Sequence, residues 1–492
     1  MSQIHVSDLT FCYDGSYDAV FEGASFTLDT DWKLGFVGRN GRGKTTFLKL
    51  LLGDYEYTGT ISSGVPCDYF PFPVEDPKRC ARDVALSLCP ACMEWELLRE
   101  LTLLQVDESV LDRPFDTLSL GEQTKLLLAA LFLREGHFLL IDEPTNHLDA
   151  DARDALGAYL RRKRGFILVS HDRALLDRCV DHVLSINRKT IEVMRGNFST
   201  WWQNKESRDQ FEQAEHDKLK RQIHSLTEAA KRTADWSDTV EKSKHGVRNS
   251  GLRPDTGYLG HKAAKLMKRS KAAQARIERA AQEQSALLQD IERTDALKLH
   301  PLTHRQDPLI EAEKLTLSYG GKKVCGPVTF SIRQGERIAL LGRNGSGKST
   351  ILKRLLGDPV ETDGRLRLAS GLILSYLPQD ASFLQGDFTQ FAEKHSLDES
   401  LFKVILRKLD FAREQFDKDL RNLSAGQKKK VLLAKSLCEP AHLYVWDEPL
   451  NYIDVFSRMQ IEQLLLEHRP TMLFVEHDRA FVDTVATRAI VL

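Results

Sequence analysis

Apolar positions along this chain follow two rhythms. Near the start, Ile4, Val6, Leu9, Phe11 and Tyr13 nearly alternate with polar residues, the pattern of a half-buried strand. Short apolar runs follow at Leu34–Val37, Phe138–Ile141 and Leu168–Val169, and they close on a glycine, a carboxylate pair and a Ser-His step. Runs this short, bounded by turn or polar residues, predict buried strands. The same set returns as Ile338–Leu341, Leu443–Trp446 and Leu473–Val475. Between the two sets the rhythm becomes helical. Leu219, Ile223, Leu226 and Ala230 step by four, three and four residues, and Leu266, Ala273, Ile277, Ala280, Leu287 and Ile291 line one face on the return. Gly246, Asn249, Ser250, Gly251, Pro254, Gly257 and Gly260 separate the two helices and predict a loop. The pattern predicts an α/β fold with two tandem domains, at 1–200 and 303–492, joined by an antiparallel helical hairpin at 201–302 with its tip at about 236–262. A chain of 492 residues exceeds what one hydrophobic core supports.

Charge changes the picture in one place. The whole chain balances 69 basic against 70 acidic residues, yet Lys242 to Arg276 holds ten Lys or Arg against Asp255 alone. Such a hairpin suits a polyanion: each ammonium or guanidinium meets a phosphate, giving salt-dependent, sequence-independent affinity. The candidate contacts are Lys242, Lys244, Arg248, Arg253, Lys262, Lys265, Lys268, Arg269 and Lys271. Trp236, Val247, Leu252 and Tyr258 are the candidates to press on a base. A solvated charged coiled coil, or docking on another protein, is the plainer explanation of the same residues.

Other compositional features exclude function classes. The opening residues lack the basic and apolar regions of a signal peptide. The densest apolar run, Leu126–Leu133, falls well short of the roughly 18 residues that a membrane span requires. Eight cysteines at irregular spacing predict reduced thiols and a cytoplasmic location, and the lone pair Cys89-Pro-Ala-Cys92 lacks the partners of a zinc site.

The chemistry lies where the strands end. Leu34–Val37 runs into Gly38-Arg-Asn-Gly-Arg-Gly-Lys-Thr-Thr46, and Ile338–Leu341 into Gly342-Arg-Asn-Gly-Ser-Gly-Lys-Ser-Thr350. Both match the phosphate-binding loop in its strand–loop–helix setting. Backbone N–H groups around Gly38, Asn40, Gly41, Gly43 and Thr46, and around Gly342, Asn344, Gly345, Gly347 and Thr350, wrap phosphates. Lys44 and Lys348 supply charge to the outer phosphates, while the hydroxyls of Thr45 and Ser349 are placed for Mg2+. Asp142-Glu143 and Asp447-Glu448 end apolar strands; one carboxylate of each pair holds the metal and the next polarises the attacking water. His171 and His477 end further strands. Gly38 and Gly342 are 304 residues apart, Ser119 and Ser424 305, Asp142 and Asp447 305, His171 and His477 306. A nearly constant offset over four motifs is a duplicated domain.

Leu118-Ser-Leu-Gly-Glu-Gln123 and Leu423-Ser-Ala-Gly-Gln427 resemble the signature of ATP-binding cassette ATPases. That resemblance implies two composite ATP sites, Lys44 with Ser424 and Lys348 with Ser119. It adds Gly121, Glu122, Gly426 and Gln427 to the ATP contacts and places Tyr13 and Tyr319 where an aromatic stacks on adenine. It also makes Glu143, Glu448, His171 and His477 catalytic. The loop that senses magnesium is intact as Tyr376-Leu-Pro-Gln379, whereas the first copy reads Tyr69-Phe-Pro-Phe72. Without that glutamine, unequal hydrolysis at the two sites is expected.

Two cassettes with a linker of about a hundred residues, entered through Gly196-Asn-Phe-Ser-Thr-Trp201, resemble the ABC-F family. The resemblance implies a monomer that closes on ATP and binds the 70S ribosome. Its linker passes through the exit site toward P-site tRNA, 23S rRNA and the peptidyl-transferase centre, and hydrolysis releases it. Lys262 to Lys271, Leu423 to Lys430 and Trp446 to Asn451 resemble the antibiotic-resistance subgroup, which protects ribosomes from lincosamides, streptogramin A and pleuromutilins. A general translation factor of the same family, and the ATPase subunit of a membrane transporter, are the rival expectations.

Overall fold

The computed structural model describes residues 2–13, 19–146, 148–186, 191–242 and 297–492, together with 261, 264, 265, 268, 271, 272, 275, 276 and 279. The predicted duplication is plain in the sheets. In the first cassette, strands Cys67–Phe70, Phe138–Asp142, Phe166–Val169, Lys33–Val37 and His182–Ile186 lie side by side in parallel, and Ile191–Arg195 closes the edge antiparallel. In the second, Leu374–Leu377, Leu443–Asp447, Met472–Val475, Arg337–Leu341 and Arg488–Val491 repeat the parallel order. A three-stranded antiparallel sheet accompanies each: Gln3–Cys12 between Ala19–Asp29 and Thr58–Ser63, and Ile310–Tyr319 between Lys322–Ile332 and Glu361–Leu368.

The strand interiors are continuous apolar runs because both faces of a parallel sheet are covered. Phe166–Val169 and Met472–Val475 are buried throughout. Leu34, Phe36, Leu140, Ile167 and Leu184 share one core with Phe11, Phe21 and Phe47 from the antiparallel sheet and the helix behind it. Parallel sheets place their loop ends at the carboxyl edge, where a ligand crevice forms. Val37, Asp142, Val169 and their counterparts Leu341, Asp447 and Val475 all end there.

The chain divides into two compact units. One comprises Met1–Asn187, Ile191–Ser199 and Thr294–Leu492, and so holds both cassettes; the other comprises Thr200–Arg293 with Arg188–Thr190. The second cassette therefore begins earlier than the expected 303. Leu297 and Leu299 are already buried in its core, and Leu302 N donates to Ala441 O at 2.8 Å.

In the linker unit, one helix runs from Phe198 to Lys242, 45 residues or about 68 Å. Neither glycine nor proline interrupts that stretch, so the helix continues through Trp236 and Lys242, where the start of an irregular tip was expected. Leu219 and Ile223 are half-buried among exposed neighbours, as the four-residue step predicts. Arg232–Glu228 at 3.2 Å is an exposed four-residue pair on this helix, and Lys205–Asp209 at 3.7 Å has the same spacing with Lys205 buried. Lys265, Lys268, Lys271 and Arg276 are helical and exposed. The expected contacts Lys244, Val247, Arg248, Leu252, Arg253, Tyr258, Lys262 and Arg269 lie outside the described residues. Among the described residues, no helix is long and apolar enough to cross a membrane, and all eight cysteines carry free thiols.

Candidate active sites

Each phosphate loop is held in shape by a glycine that nothing else replaces. Gly43 has φ 92°, and a Cβ there would stand 2.5 Å from Val20 Cγ1; Gly347 has φ 94°, and a Cβ would meet Cys325 Cβ at 2.6 Å. The helices that follow start at the lysines, Lys44–Leu52 and Lys348–Leu355. Lys44 Nζ donates to Gly38 O at 2.7 Å and Arg39 O at 3.1 Å, and Lys348 Nζ to Gly342 O at 2.7 Å and Arg343 O at 3.0 Å. Both ammonium groups thus sit in the mouth of a loop whose N–H groups and helix N-terminus suit a phosphate. Thr45 Oγ1 donates to Asp142 Oδ2 at 2.7 Å, and Tyr69 donates its hydroxyl to the same oxygen at 3.0 Å. Ser349 bonds Asp447 in the same way, while Asp447 Oδ1 is buried without a hydrogen-bond partner.

Glu143 and Glu448 occupy left-handed backbone, at φ 48° and 47°. For a non-glycine residue that conformation is strained, and it is typical of positions where the chain must re-aim a side chain. The strain is held by Glu143 N donating to Val169 O at 2.9 Å and Glu448 N to Val475 O at 3.0 Å. His171 Nε2 lies 3.3 Å from Glu143 Oε1 and 3.1 Å from Asn40 Oδ1, and His477 Nε2 lies 3.6 Å from Glu448 Oε1. Burial first, then the charges of Lys44 and Arg458, hold His171 well below the usual imidazole range, so it is neutral.

The two glutamates differ sharply. Glu448 Oε2 accepts from Gln379 Nε2 at 2.9 Å and from Asn451 Nδ2 at 2.5 Å. Burial opposes its ionisation, but the nearby His477 at 3.6 Å, together with the hydrogen bond from Gln379, outweighs it and holds Glu448 below the ordinary carboxylate range. Glu143 receives no such amide among the described residues; Phe72 stands where the second copy has Gln379, and Glu143 Oε1 is buried without a hydrogen bond. Burial, then the neighbouring Asp142, push Glu143 up to about 8.

The cassettes also meet. Ser119 and Ser424 cap the helices Leu120–Phe132 and Ala425–Cys438. Glu122 and Gln427, expected among the nucleotide contacts, complete capping boxes in this structure, Ser119 N donating to Glu122 Oε2 at 2.8 Å and Ser424 N to Gln427 Oε1 at 3.0 Å, and Glu122 also lines the cleft of the second site. At the first composite site the phosphate loop touches the other cassette directly. Asn40 Nδ2 donates to Tyr452 O at 2.7 Å, and a Cβ on Gly426 would lie 2.7 Å from that same oxygen and 3.3 Å from Asn40 Nδ2. At the second site, Lys348, Ser349, Ser119, Gly121, Asp149 and Glu448 line one cleft of about 1190 Å³ that reaches Gln379 and His477. Away from the sites, Arg173 grips Glu462 with both guanidinium nitrogens, and Arg479 Nη1 meets Asp154 Oδ2 at 2.8 Å. These pairs bridge the cassettes in both directions.

Tyr13 and Tyr319 are 44 % and 47 % exposed at the ends of their strands. Tyr13 also shares a 2.6 Å hydrogen bond with Thr46 Oγ1. Sequence reading missed Asn451, Arg39 and Asp410. Their signal lay in comparing the two copies position by position, inside the motifs for Arg39 and Asn451 and outside them for Asp410.

The family model described as "ABC transporter" matches residues 21–86 and 325–451, and the model "AAA domain, putative AbiEii toxin, Type IV TA system" matches 102–177. The chain is 26% identical over 494 residues to "Ribosome protection protein VmlR" of Bacillus subtilis (strain 168), covering 98% of this chain and 85% of that protein. It is 27% identical over 508 residues to "Energy-dependent translational throttle protein EttA" of Haemophilus influenzae, covering 92% and 86%. Among solved structures, that of the archaeal ribosome recycling factor aABCE1 with the stalk protein aP1 superposes with a TM-score of 0.65 at 20% identity, over 98% of this chain and 87% of that one. That likeness establishes the fold alone. Fold, paired sites and family matches together define a tandem ATP-binding cassette protein that is an ATPase. The similarity to VmlR and EttA runs over nearly the full length of this chain.

Proposed function

We propose that this chain is an ATP-driven, ribosome-binding ABC-F protein of the antibiotic-resistance subgroup. Its linker enters the exit site toward P-site tRNA and the peptidyl-transferase centre of the 70S ribosome and displaces lincosamides, streptogramin A or pleuromutilins. The observation that carries it is the pairing of each phosphate loop with the other cassette's signature helix, combined with a basic linker that a membrane transporter does not need. ATP bound in such a site bridges two cassettes, so it favours the closed state to the extent that it binds that state more tightly.

Each site has a role for its own residues. Lys44 and Lys348 hold the outer phosphates, and Ser119 and Ser424 present a hydroxyl and a helix N-terminus from across the interface. Thr45 with Asp142, and Ser349 with Asp447 and Gln379, would hold Mg2+; the buried, unpartnered Asp447 Oδ1 is a donor such an ion suits. When bound, the ion neutralises charge on the phosphates. Glu448, ionised and oriented by Gln379, Asn451 and His477, takes the proton from the attacking water. Glu143, raised by burial and by Asp142 and given no supporting amide among the described residues, is mostly protonated near neutral pH, so less of it is ready to accept the proton. Hydrolysis reopens the cassettes and frees the linker. The reading includes a monomer in the cytoplasm, its exposed Lys265, Lys268 and Lys271 meeting RNA phosphates.

Similarity to EttA at the same level favours one rival, a translation factor with no drug link. Growth of cells with and without the gene in each drug class separates the two. Resistance that disappears in Glu143→Gln, Glu448→Gln cells supports the resistance reading, and unchanged susceptibility to all three classes removes it.

A further inference from the structure

The duplication allows each interface contact to be checked against its copy, and one pair does not match. At the first site, the guanidinium of Arg39 is 4 % exposed. It lies between Asp410, with Nη1 to Oδ2 at 3.8 Å, and the Phe456 ring, whose centroid is 5.6 Å away. Arg42 Nη2 reaches the other oxygen, Asp410 Oδ1, at 3.7 Å. Both arginines belong to the first phosphate loop, whereas Asp410 and Phe456 belong to the second cassette. Asp410 directly follows the helix Glu399–Lys408 and its Leu409 cap, in left-handed backbone at φ 61°.

The equivalent positions carry different chemistry. Arg39 corresponds to Arg343 and Arg42 to Ser346, five and two residues before their lysines in both copies. Asp410 corresponds to Gln105, which follows the helix Glu94–Leu103 and its Leu104 cap, also left-handed at φ 55°. The backbone is thus conserved between the copies while the charge is not. Arg343 and Gln105 both line the 1190 Å³ cleft, and Arg343 is exposed and makes no ion pair with a described residue. Asp107 lines the same cleft, but its carboxylate accepts from Ser109 N at 2.9 Å and caps the turn Glu108–Asp112.

We propose that Asp410 is a positioning residue that latches the second cassette onto the first phosphate loop through Arg39 and Arg42, and that Gln105 leaves the second site without a latch. The consequence is a division of labour. The Lys44–Ser424 site retains its nucleotide and holds the cassettes together, while the Lys348–Ser119 site opens and exchanges. This rests on the reading of both loops as ATP sites. It does not rest on the ribosome or on any drug.

The test is stopped-flow release of mant-ATP from the full chain carrying Glu143→Gln and Glu448→Gln, chased with unlabelled ATP. Two phases are expected, and adding Lys44→Ala should remove the slow one. Asp410→Asn should speed the slow phase about fivefold and leave the fast phase unchanged, an effect within the range of a partly exposed ion pair. Asp410→Glu, which keeps the charge, should retain most of the slow phase. Gln105→Asp should slow the fast phase, a gain that damage to the fold does not produce. A single release phase, or phases that ignore both Asp410→Asn and Gln105→Asp, overturns the latch. Absence of any mant-ATP uptake overturns the reading of the loops as ATP sites, and the latch with it.

Discussion

The two composite sites share a plan and differ in two details, and each difference has a physical consequence. Where the second site has Gln379, the first has Phe72; where the first site has Asp410 to face its phosphate loop, the second has Gln105. One change removes an amide donor from a buried glutamate, and the other removes a carboxylate from an interface. They act on opposite sites. The first composite site is closed and poorly equipped to abstract a proton, and the second is open with a well-supported base. A duplicated machine has divided into one part that holds and one part that turns over.

The largest expected effect tests that division at the chemistry. Glu448→Gln should lower steady-state ATP turnover by about 100-fold, the usual scale for loss of a general base, while Glu143→Gln should lower it by less than about tenfold. Equal losses would mean that the missing glutamine at Phe72 has no consequence.

A second contrast appears in stability. Glu143 has its folded-state value raised from 4.5 to about 8. A raised carboxylate contributes stability that is full below its unfolded value and is lost as pH rises through the folded one. Glutamine mimics the protonated form at every pH. Glu143→Gln should therefore stabilise the chain over wild type progressively between about pH 4.5 and 8, reaching on the order of 1–3 kcal/mol. Glu448 is shifted the other way, so Glu448→Gln should lower the melting temperature at pH 8. Melting curves of both variants at pH 5 and pH 8 check the signs, and a Glu143→Gln gain that is the same at both would contradict the assignment.

A smaller effect should follow from repairing the difference. Phe72→Gln restores an amide beside Glu143 and should raise turnover of a Glu448→Gln chain by roughly two- to fivefold. The smallest effect lies in the linker. Replacing Lys265, Lys268 and Lys271 by glutamine should reduce the salt slope of ribosome binding by about one unit per lysine that meets a phosphate. An unchanged slope would remove these three from the RNA contact.

Much of this was legible in the sequence because the relevant physics is local. A phosphate loop needs Gly43 and Lys44 at fixed spacing after a strand, and a helix cap needs Ser119 three residues before Glu122. Neighbours in the chain carry both signals. The second carries two meanings at once, since the carboxylate of Glu122 closes the helix end and also lines the cleft of the second site. The Asp410 contact was not legible in that way. Asp410 belongs to no motif and lies some 370 positions from its arginine partners in the phosphate loop, so only the juxtaposition of two folded cassettes brings them together. The upward shift of Glu143 is of the same kind, since it follows from burial and from the neighbouring Asp142. The helix runs on through Trp236 because the sequence from Phe198 to Lys242 holds neither glycine nor proline, a local signal that the density of basic residues does not cancel.

Co-sedimentation of the Glu143→Gln, Glu448→Gln chain with 70S ribosomes, with and without ATP and over a salt series, tests the central claim most directly. Pelleting should require ATP and weaken steeply as salt rises. A chain that stays in the supernatant with ATP at low salt would contradict it.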